Sequence, residues 1–423
     1  MAIKAVRGMS DILPPEVKRW QYLEETGRRL LQAYGYSEIR TPVLEETSLF
    51  IRSIGRASDI VSKQMYSFSD SKGRSLALRP EETAPVIRSY VEHSLDKKSG
   101  FSKFYYIGPM FRSERPQAGR SRQFHQIGTE AIGSYSPYVD CETIILLVDI
   151  FSALKLTDYV IRLNSVGCKR CRIKFKKILR DTLSRHTNLL CSDCQRKLTT
   201  NVFRILDCKK QGCQIVIRRM PSILDYLCDD CGKHFGEVRE ILNRMGVSYR
   251  VDPYLVRGLD YYTRTVFEFV HSCLGSQNAL AAGGRYDSLV SELGGPSSGA
   301  CGMSVGIERV LMALSSLKKG IPGLKEDGVY LATIGEEPYR EGYKILRDLR
   351  RQNIRADIDY QGKSLKAQLR LAGRANSRYV VILGENELKK KAAILKEMKT
   401  GKQIEVGIDK VVEEILRRVT RNQ

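Results

Sequence analysis

The sequence predicts an α+β fold, an antiparallel sheet with helices set between its strands, followed by a smaller three-layer α/β module. Three observations carry this expectation. Before residue 325 the strand patterns fall into long hairpins rather than regular βα repeats. From 326 to 423 strands and helices do alternate, over a length compact enough to fold alone. Between them, residues 167–247 break the rhythm with helical, basic, cysteine-rich sequence. The expected organisation is one domain over 1–325, interrupted by an insert at 167–247, and a second domain over 326–423.

Taken in order, Asp11 and Pro14-Pro15 start a helix whose apolar residues recur from Val17 to Tyr34, and Gly35 ends it. Residues 37–42 form a short strand ended by Pro42, and Glu45 to Ile54 a second helix. Residues 65–69 and 75–79 make a hairpin over Asp70-Ser-Lys-Gly73. Pro80-Glu81-Glu82-Thr83 opens a helix to about Leu95, where the acids either cap the helix or present Glu81 and Thr83 to an ammonium group. The central pair follows. Lys103 to Phe111 is rich in aromatic and β-branched residues, Pro116-Gln-Ala-Gly119 is turn chemistry, and Phe124 to Ile132 alternates as a returning strand. Tyr138 to Leu156 reads as a buried helix, and strands are expected at 159–164, 248–251 and 265–270. Leu255-Val-Arg-Gly-Leu-Asp-Tyr-Tyr262 and Ala281-Ala-Gly-Gly-Arg-Tyr286 place polar groups around glycines, and Gly302 to Arg309 leads into a helix from Val310 to Leu317. A cation in the first turns of that last helix opposes the helix dipole, so Arg309 is expected to face an anion.

In the second domain, strands are expected at 329–334, 354–358 and 379–383 and helices at 339–352, 365–375 and 410–419, with a hairpin over Thr400-Gly401. Its loops carry Lys363, Lys366, Lys389, Lys390 and Lys391, which fit either a solvated face or contact with RNA.

A chain of 423 residues with a formal net charge of +22 calls for a polyanionic partner, and nucleic acid fits better than a membrane. The charge is concentrated: residues 155–250 hold 21 Lys and Arg against 9 Asp and Glu, and residues 326–423 hold 21 against 15. The most apolar run, Ile144 to Leu154, is interrupted by Asp149 and too short to span a bilayer. No signal-peptide pattern follows the first residues, and eleven cysteines without one point to reduced thiols or metal, so the expected compartment is the cytoplasm. Neither a P-loop nor a Gly-x-Gly-x-x-Gly dinucleotide loop is present, because the position five before Gly362-Lys363-Ser364 is Asp357. An anionic ligand would therefore be held on the antiparallel sheet by arginines, whose guanidinium fork matches phosphate oxygens two at a time.

The hairpin with Arg112, the strand-to-helix turn with Arg309 and Pro42 after a long helix together resemble the class II aminoacyl-tRNA synthetases. The stretches Leu255 to Tyr262 and Ala281 to Tyr286 resemble the histidine-binding signatures of histidyl-tRNA synthetases, and the match runs from Arg7-Gly-Met-Ser-Asp11 to the last helix. The resemblance implies a class II catalytic domain with a Cys-rich helical insert and a C-terminal anticodon-binding domain. It implies an ATP-dependent histidine–tRNA ligase working through a histidyl-adenylate, with Mg²⁺ beside the β- and γ-phosphates and a homodimer formed by the first helix and strand. It also implies residue roles. Arg112, Arg257 and Arg309 would be catalytic, at the α-phosphate for the first two and the γ-phosphate for the third; Arg120 would join the ATP site and Phe124 would stack on adenine. Glu81, Thr83 and Gln126 would meet the ammonium and carboxylate of histidine, and Glu130 and Tyr262, with Tyr261 beside them, the imidazole. Glu82 departs from the family pattern by adding a carboxylate where a small residue is usual, and is counted with the histidine site. The rival expectations are a synthetase-like regulatory subunit that senses histidine, or an RNA-binding paralogue without turnover; the presence of Arg257 and of residues 326–423 disfavours the first.

Eight cysteines fall in the insert as Cys168-x2-Cys171, Cys191-x2-Cys194, Cys208-x4-Cys213 and Cys228-x2-Cys231. Four pairs suffice for two structural zinc sites, and they also fit a helical domain with buried thiols.

Overall fold

The computed structural model describes residues 3–56, 58–275, 278–317 and 328–420. The described residues divide into two compact units, one ending at 317 and the other beginning at 328. The expected boundary at 325/326 lies outside the described residues.

The first unit is built on an eight-stranded sheet. Its order is Ser37–Glu38, Ser102–Phe111, Gln123–Ile132, Ala300–Gly306, Ala279–Arg285, Thr263–His271, Tyr159–Ser165 and Arg250–Val251. All neighbours are antiparallel except the two short edge strands, which pair in parallel. In the central pair Phe104 faces Glu130 and Gly108 faces Gln126. The pleat sorts side chains by parity. Tyr105, Ile127, Ala131, Phe267, Phe269, Cys301 and Val305 point to one face and join a large apolar core. The helices Pro14–Ala33, Pro137–Ala153 and Ile307–Ser316 supply the rest of that core. The Pro137–Ala153 helix starts where the Ser136 hydroxyl accepts the Tyr138 N–H, with proline in the first position. The opposite parity, Tyr106, Met110 and Val266, faces a smaller cluster with Val86, Ile87 and Tyr90 of the helix Thr83–Glu92. On that same side Phe124, Gln126 and Glu130 project, so one face of the sheet is closed by long helices and the other is covered only in part, by Thr83–Glu92, which leaves room for a ligand.

Local differences from the sequence expectation have simple causes. Residues 44–46 are a strand, not the start of a helix, because they pair with 76–78, and the helix is Thr47–Ile54. The helix after Pro80 stops at Glu92, where Ser94 enters the left-handed region at φ 50°. The stretch 167–247, expected as one inserted domain, splits. Residues from Phe175 to Ile223 share their own core. The helix Asp229–Arg244 instead buries Phe235, Val238, Ile241 and Leu242 in the main core, against Pro137–Ala153.

The second unit is a five-stranded sheet in the order Ala356–Ile358, Val329–Thr333, Tyr379–Leu383, Ala392–Glu397 and Gln403–Gly407. The first three strands are parallel and the last two antiparallel. Helices Glu336–Arg351 and Val411–Thr420 cover Leu331, Val381 and Leu395, while Leu365–Arg374 covers Tyr330, Ala332 and Val380. Three layers result. Among the described residues no helix is long and apolar enough to cross a membrane.

Candidate active site

A cleft opens on the partly covered face of the large sheet, with about 1060 Å³ of space counting its open mouth. Arg112, Arg120, Arg257 and Arg309 all line it, although they come from the central hairpin, the loop before Thr263–His271 and the helix Ile307–Ser316. Each arginine is fixed by the scaffold. Arg112 Nε donates to the Pro80 carbonyl at 2.9 Å, and its guanidinium lies 5.1 Å from the centre of the Phe124 ring. Arg309 Nε donates to the Gly119 carbonyl at 2.9 Å and Nη1 to the Ala279 carbonyl at 2.8 Å. Arg257 pairs with Glu268, and Arg120 with Glu114 at 3.0 Å.

The cations strain against one another. Burial lowers the pKa of Arg112, and burial together with the neighbouring Arg120 and Arg112 lowers that of Arg309. Burial also pulls on Arg257, but Glu268 together with Tyr262, Asp207 and Tyr261 leaves that pKa raised. Three half-buried guanidinium groups held to carbonyls and to one carboxylate make a preorganised anion site, since no rearrangement is needed when charge arrives.

The other end of the cleft is lined by Glu81, Thr83, Gln126, Tyr261 and Tyr262. Glu81 serves two ends at once. Its Oε1 accepts the Ala84 N–H at 2.9 Å and its Oε2 the Thr83 N–H at 3.2 Å, so it caps the helix Thr83–Glu92. Its Oε2 also accepts the Tyr261 hydroxyl at 3.1 Å inside the cleft. Burial raises its pKa despite these donors. Burial likewise raises Tyr262 to about 12, so both tyrosines stay protonated donors.

Two expected site residues stand elsewhere. Glu130 sits behind the wall, 1% exposed, accepting from Thr83 Oγ1 at 2.7 Å, Tyr106 Oη at 3.4 Å and the Tyr286 hydroxyl. Burial pushes its pKa up to about 8, against those three donors. Glu82 is not brought to the cleft at all. It turns the opposite way from Glu81, pairs with Arg79 at 2.7 Å and accepts from Thr41 Oγ1 at 2.7 Å, which makes it part of the buried wall rather than the histidine site. A cysteine-free, carboxylate-bearing strand lies against Gly302, where a Cβ would fall 2.0 Å from Glu130 Oε2, so glycine is what lets the two strands close over this acid.

A family model described as histidyl-tRNA synthetase matches residues 8–310, and an anticodon-binding domain model matches residues 328–418. The chain belongs to the histidyl-tRNA synthetase family. A histidine–tRNA ligase of Halothermothrix orenii is 49% identical over 98% of this chain and 99% of its own length. One of Thermotoga maritima is 45% identical, with complete coverage of both chains. Among solved structures, apo histidyl-tRNA synthetase of S. aureus is 35% identical and superposes with a TM-score of 0.82, covering 98% of this chain and 99% of that one. The fold class is that of the family, a class II catalytic domain and a C-terminal anticodon-binding domain.

Sequence reasoning passed over several groups that line the cleft. Tyr106, Ser304 and Glu308 are all there, and Tyr286, which ends the Ala281–Tyr286 stretch, lines it with them. Tyr106 and Ser304 had a usable signal, since strand parity puts them on the same face as Gln126. Glu308 had none, because its place depends on the Ile307–Ser316 helix folding back to accept the His125 N–H at 2.9 Å.

Proposed function

We infer that this chain is a histidine–tRNA ligase, which activates L-histidine with ATP and passes the acyl group to histidine tRNA. The observation that carries the chemistry is the meeting of Arg112, Arg257 and Arg309 in one cleft, beside a protonated pair of tyrosines and a buried carboxylate. A histidine carboxylate oxygen attacks the α-phosphorus, and the bond to the bridging oxygen of pyrophosphate breaks. Negative charge concentrates on the α-phosphate as this happens. Arg112 and Arg257 are set to hold that charge and Arg309 the γ-phosphate, with Arg120 at the same anion and Phe124 against the adenine. In the second step a hydroxyl of the terminal ribose of the tRNA attacks the acyl carbon and AMP leaves. The same arginines hold the departing AMP phosphate.

Glu81, Thr83 and Gln126 suit the ammonium and carboxylate of the amino acid. Tyr261 and Tyr262 close on the imidazole, with Glu130 behind them as the group that sets the charge of that end. An imidazole offers one N–H and one lone pair, so a site of paired donors and acceptors rejects apolar isosteres strongly. Mg²⁺ would neutralise the leaving pyrophosphate, and the oxygen donors in the cleft wall suited to so hard a cation are Glu114 and Glu308. The second unit would read the anticodon, the basic insert would lean on the acceptor arm, and the first helix and strand, next to exposed Val43 and Leu44, would form a homodimer. The setting proposed is the cytoplasm, and the insert cysteines are proposed as zinc ligands.

The test is histidine-dependent exchange of pyrophosphate into ATP. Exchange is expected with histidine alone among the amino acids, and Arg257→Ala should abolish it. Equal exchange with another amino acid would overturn the substrate, and no exchange at all would leave only the rival of a histidine sensor or an RNA-binding paralogue.

A further inference from the structure

The insert holds its eight cysteines in two groups of four, Cys168, Cys171, Cys228 and Cys231 in one and Cys191, Cys194, Cys208 and Cys213 in the other. Within each group the sulfur atoms all lie within 4.8 Å of one another. The spacings are 3.6 Å for Cys168–Cys171, 3.9 Å for Cys168–Cys228 and 4.0 Å for Cys191–Cys208. A tetrahedral zinc with Zn–S bonds of about 2.3 Å has sulfur-to-sulfur edges of about 3.8 Å. A disulfide would need about 2.05 Å. The Cys228 N–H donates to Cys171 Sγ at 3.1 Å, and the Cys191 N–H to Cys213 Sγ at 3.2 Å, as thiolates held on a metal accept. Cys168, Cys191 and Cys228 each precede a helix, so their partners three residues on sit one turn inside it.

The first group stands where the chain leaves the catalytic sheet, after Tyr159–Ser165, and where it returns in Asp229–Arg244. The second belongs to the insert's own core, through Cys194 and Cys213. From both, side chains reach the loop that carries Arg257, Tyr261 and Tyr262. Arg172, next to Cys171, donates through Nη1 to the Asp260 carbonyl at 2.9 Å and the Tyr262 carbonyl at 3.0 Å. Between Cys194 and Cys208, Asn201 Nδ2 donates to Asp260 Oδ1 at 3.1 Å, and Arg204 donates to the Gly258 carbonyl. The Arg172 guanidinium lies 5.7 Å from the Phe203 ring, which links the two anchors to each other.

We propose that the insert binds two zinc ions, one in each four-cysteine group, and that zinc positions the 257–262 loop of the catalytic cleft through Arg172, Asn201 and Arg204. The metal sites are closed, with four thiolates each and no open position, so they act on catalysis only by placement. Arg172 and Arg204 are positioning residues. The effect on the cleft rests on the ligase reading given above, whereas the zinc content does not.

Metal analysis of the full chain purified without chelator should give about two zinc per folded chain. Growth on cobalt should give the visible bands of tetrahedral sulfur-ligated cobalt. Cys228→Ser and Cys208→Ser should each lose one equivalent. Arg172→Gln and Arg204→Gln should keep both zinc ions and raise the histidine KM about tenfold or more, since small misplacements in a site cost up to about 10²-fold. Fewer than one zinc per folded chain, or iron in its place, overturns the zinc sites. Full zinc with an unchanged histidine KM in both arginine variants overturns the positioning role, and those variants decide the matter even where a cysteine variant fails to fold. Two zinc ions in a wild-type chain that shows no exchange would instead overturn the ligase reading and leave the metal sites standing.

Discussion

Arginines withdrawn from solvent occur in two settings in this molecule, one fully buried and one half-buried, and the contrast separates scaffold from site. At one end of the strand Ala279–Arg285, Arg285 is completely buried and completely matched. It pairs with Asp140 and with Asp287 at 3.0 Å, and donates to the Ser134 and Ser136 carbonyls at 2.8 Å each. Burial alone would raise Asp140, but Arg285 and His234 hold it down at about 2. In the cleft Arg112 and Arg309 are fastened to carbonyls while burial, joined at Arg309 by the charges of Arg120 and Arg112, lowers their pKa values. A cation balanced within the fold stabilises the fold, whereas cations crowded together await an anion from outside.

The largest effect that sharpens this comparison is Arg285→Ala. It should cost about 3–5 kcal/mol, because Asp140 is left buried with its guanidinium partner gone and only His234 beside it, and urea unfolding measures it. The acid limb carries the sign. Asp140 has a depressed folded pKa, so its contribution is present above the ordinary value of 3.8 and lost as pH falls through about 2. The variant should lose stability already at neutral pH and show a flatter acid limb. Arg112→Ala should do the reverse, cutting pyrophosphate exchange by about 10²–10³-fold with the midpoint of unfolding almost unchanged. An Arg112 variant that unfolds easily would break the contrast.

Next in size, Glu82→Gln should cost about 1–3 kcal/mol, through the weakened Arg79 pair, and leave the histidine KM unaltered. Glu81→Gln should raise that KM. Parallel kinetic losses in both would return Glu82 to the histidine site. The smallest effect is a slope. Glu130 has a folded pKa raised to about 8, so its share of stability is complete below 4.5 and declines as pH rises through 8. Glu130→Gln should flatten the stability profile between those limits, as thermal melts across that range would record.

How far the sequence reached follows the same division between local and long-range causes. The strand period put Phe124, Gln126 and Glu130 on one face and the turn residues closed the hairpin, so that part of the cleft was legible before any coordinates. Glu81 and Glu82 were not separable, because two acids before a helix give one capping signal and only packing against Arg79 and Tyr261 assigns each its side. Glu130 was placed at the imidazole, but the wall formed by Tyr106, Thr83 and Tyr286 stands between it and the cleft, and that wall is assembled from three segments. The cysteine spacing gave the pairs but not which pair joins which, since Cys168 and Cys228 meet only across the whole insert. The helical period of Asp229–Arg244 announced a helix and could not say which core would take it.

The account turns on three arginines serving one adenylate. Calorimetric titration with a non-hydrolysable sulfamoyl analogue of histidyl-adenylate tests it, using the parent chain and the variants Arg112→Ala, Arg257→Ala and Arg309→Ala. One analogue should bind per chain, and Arg112→Ala and Arg257→Ala should each weaken it by about tenfold or more, with Arg309→Ala weakening ATP instead. Undiminished affinity in both of the first two variants would contradict the assignment of this cleft.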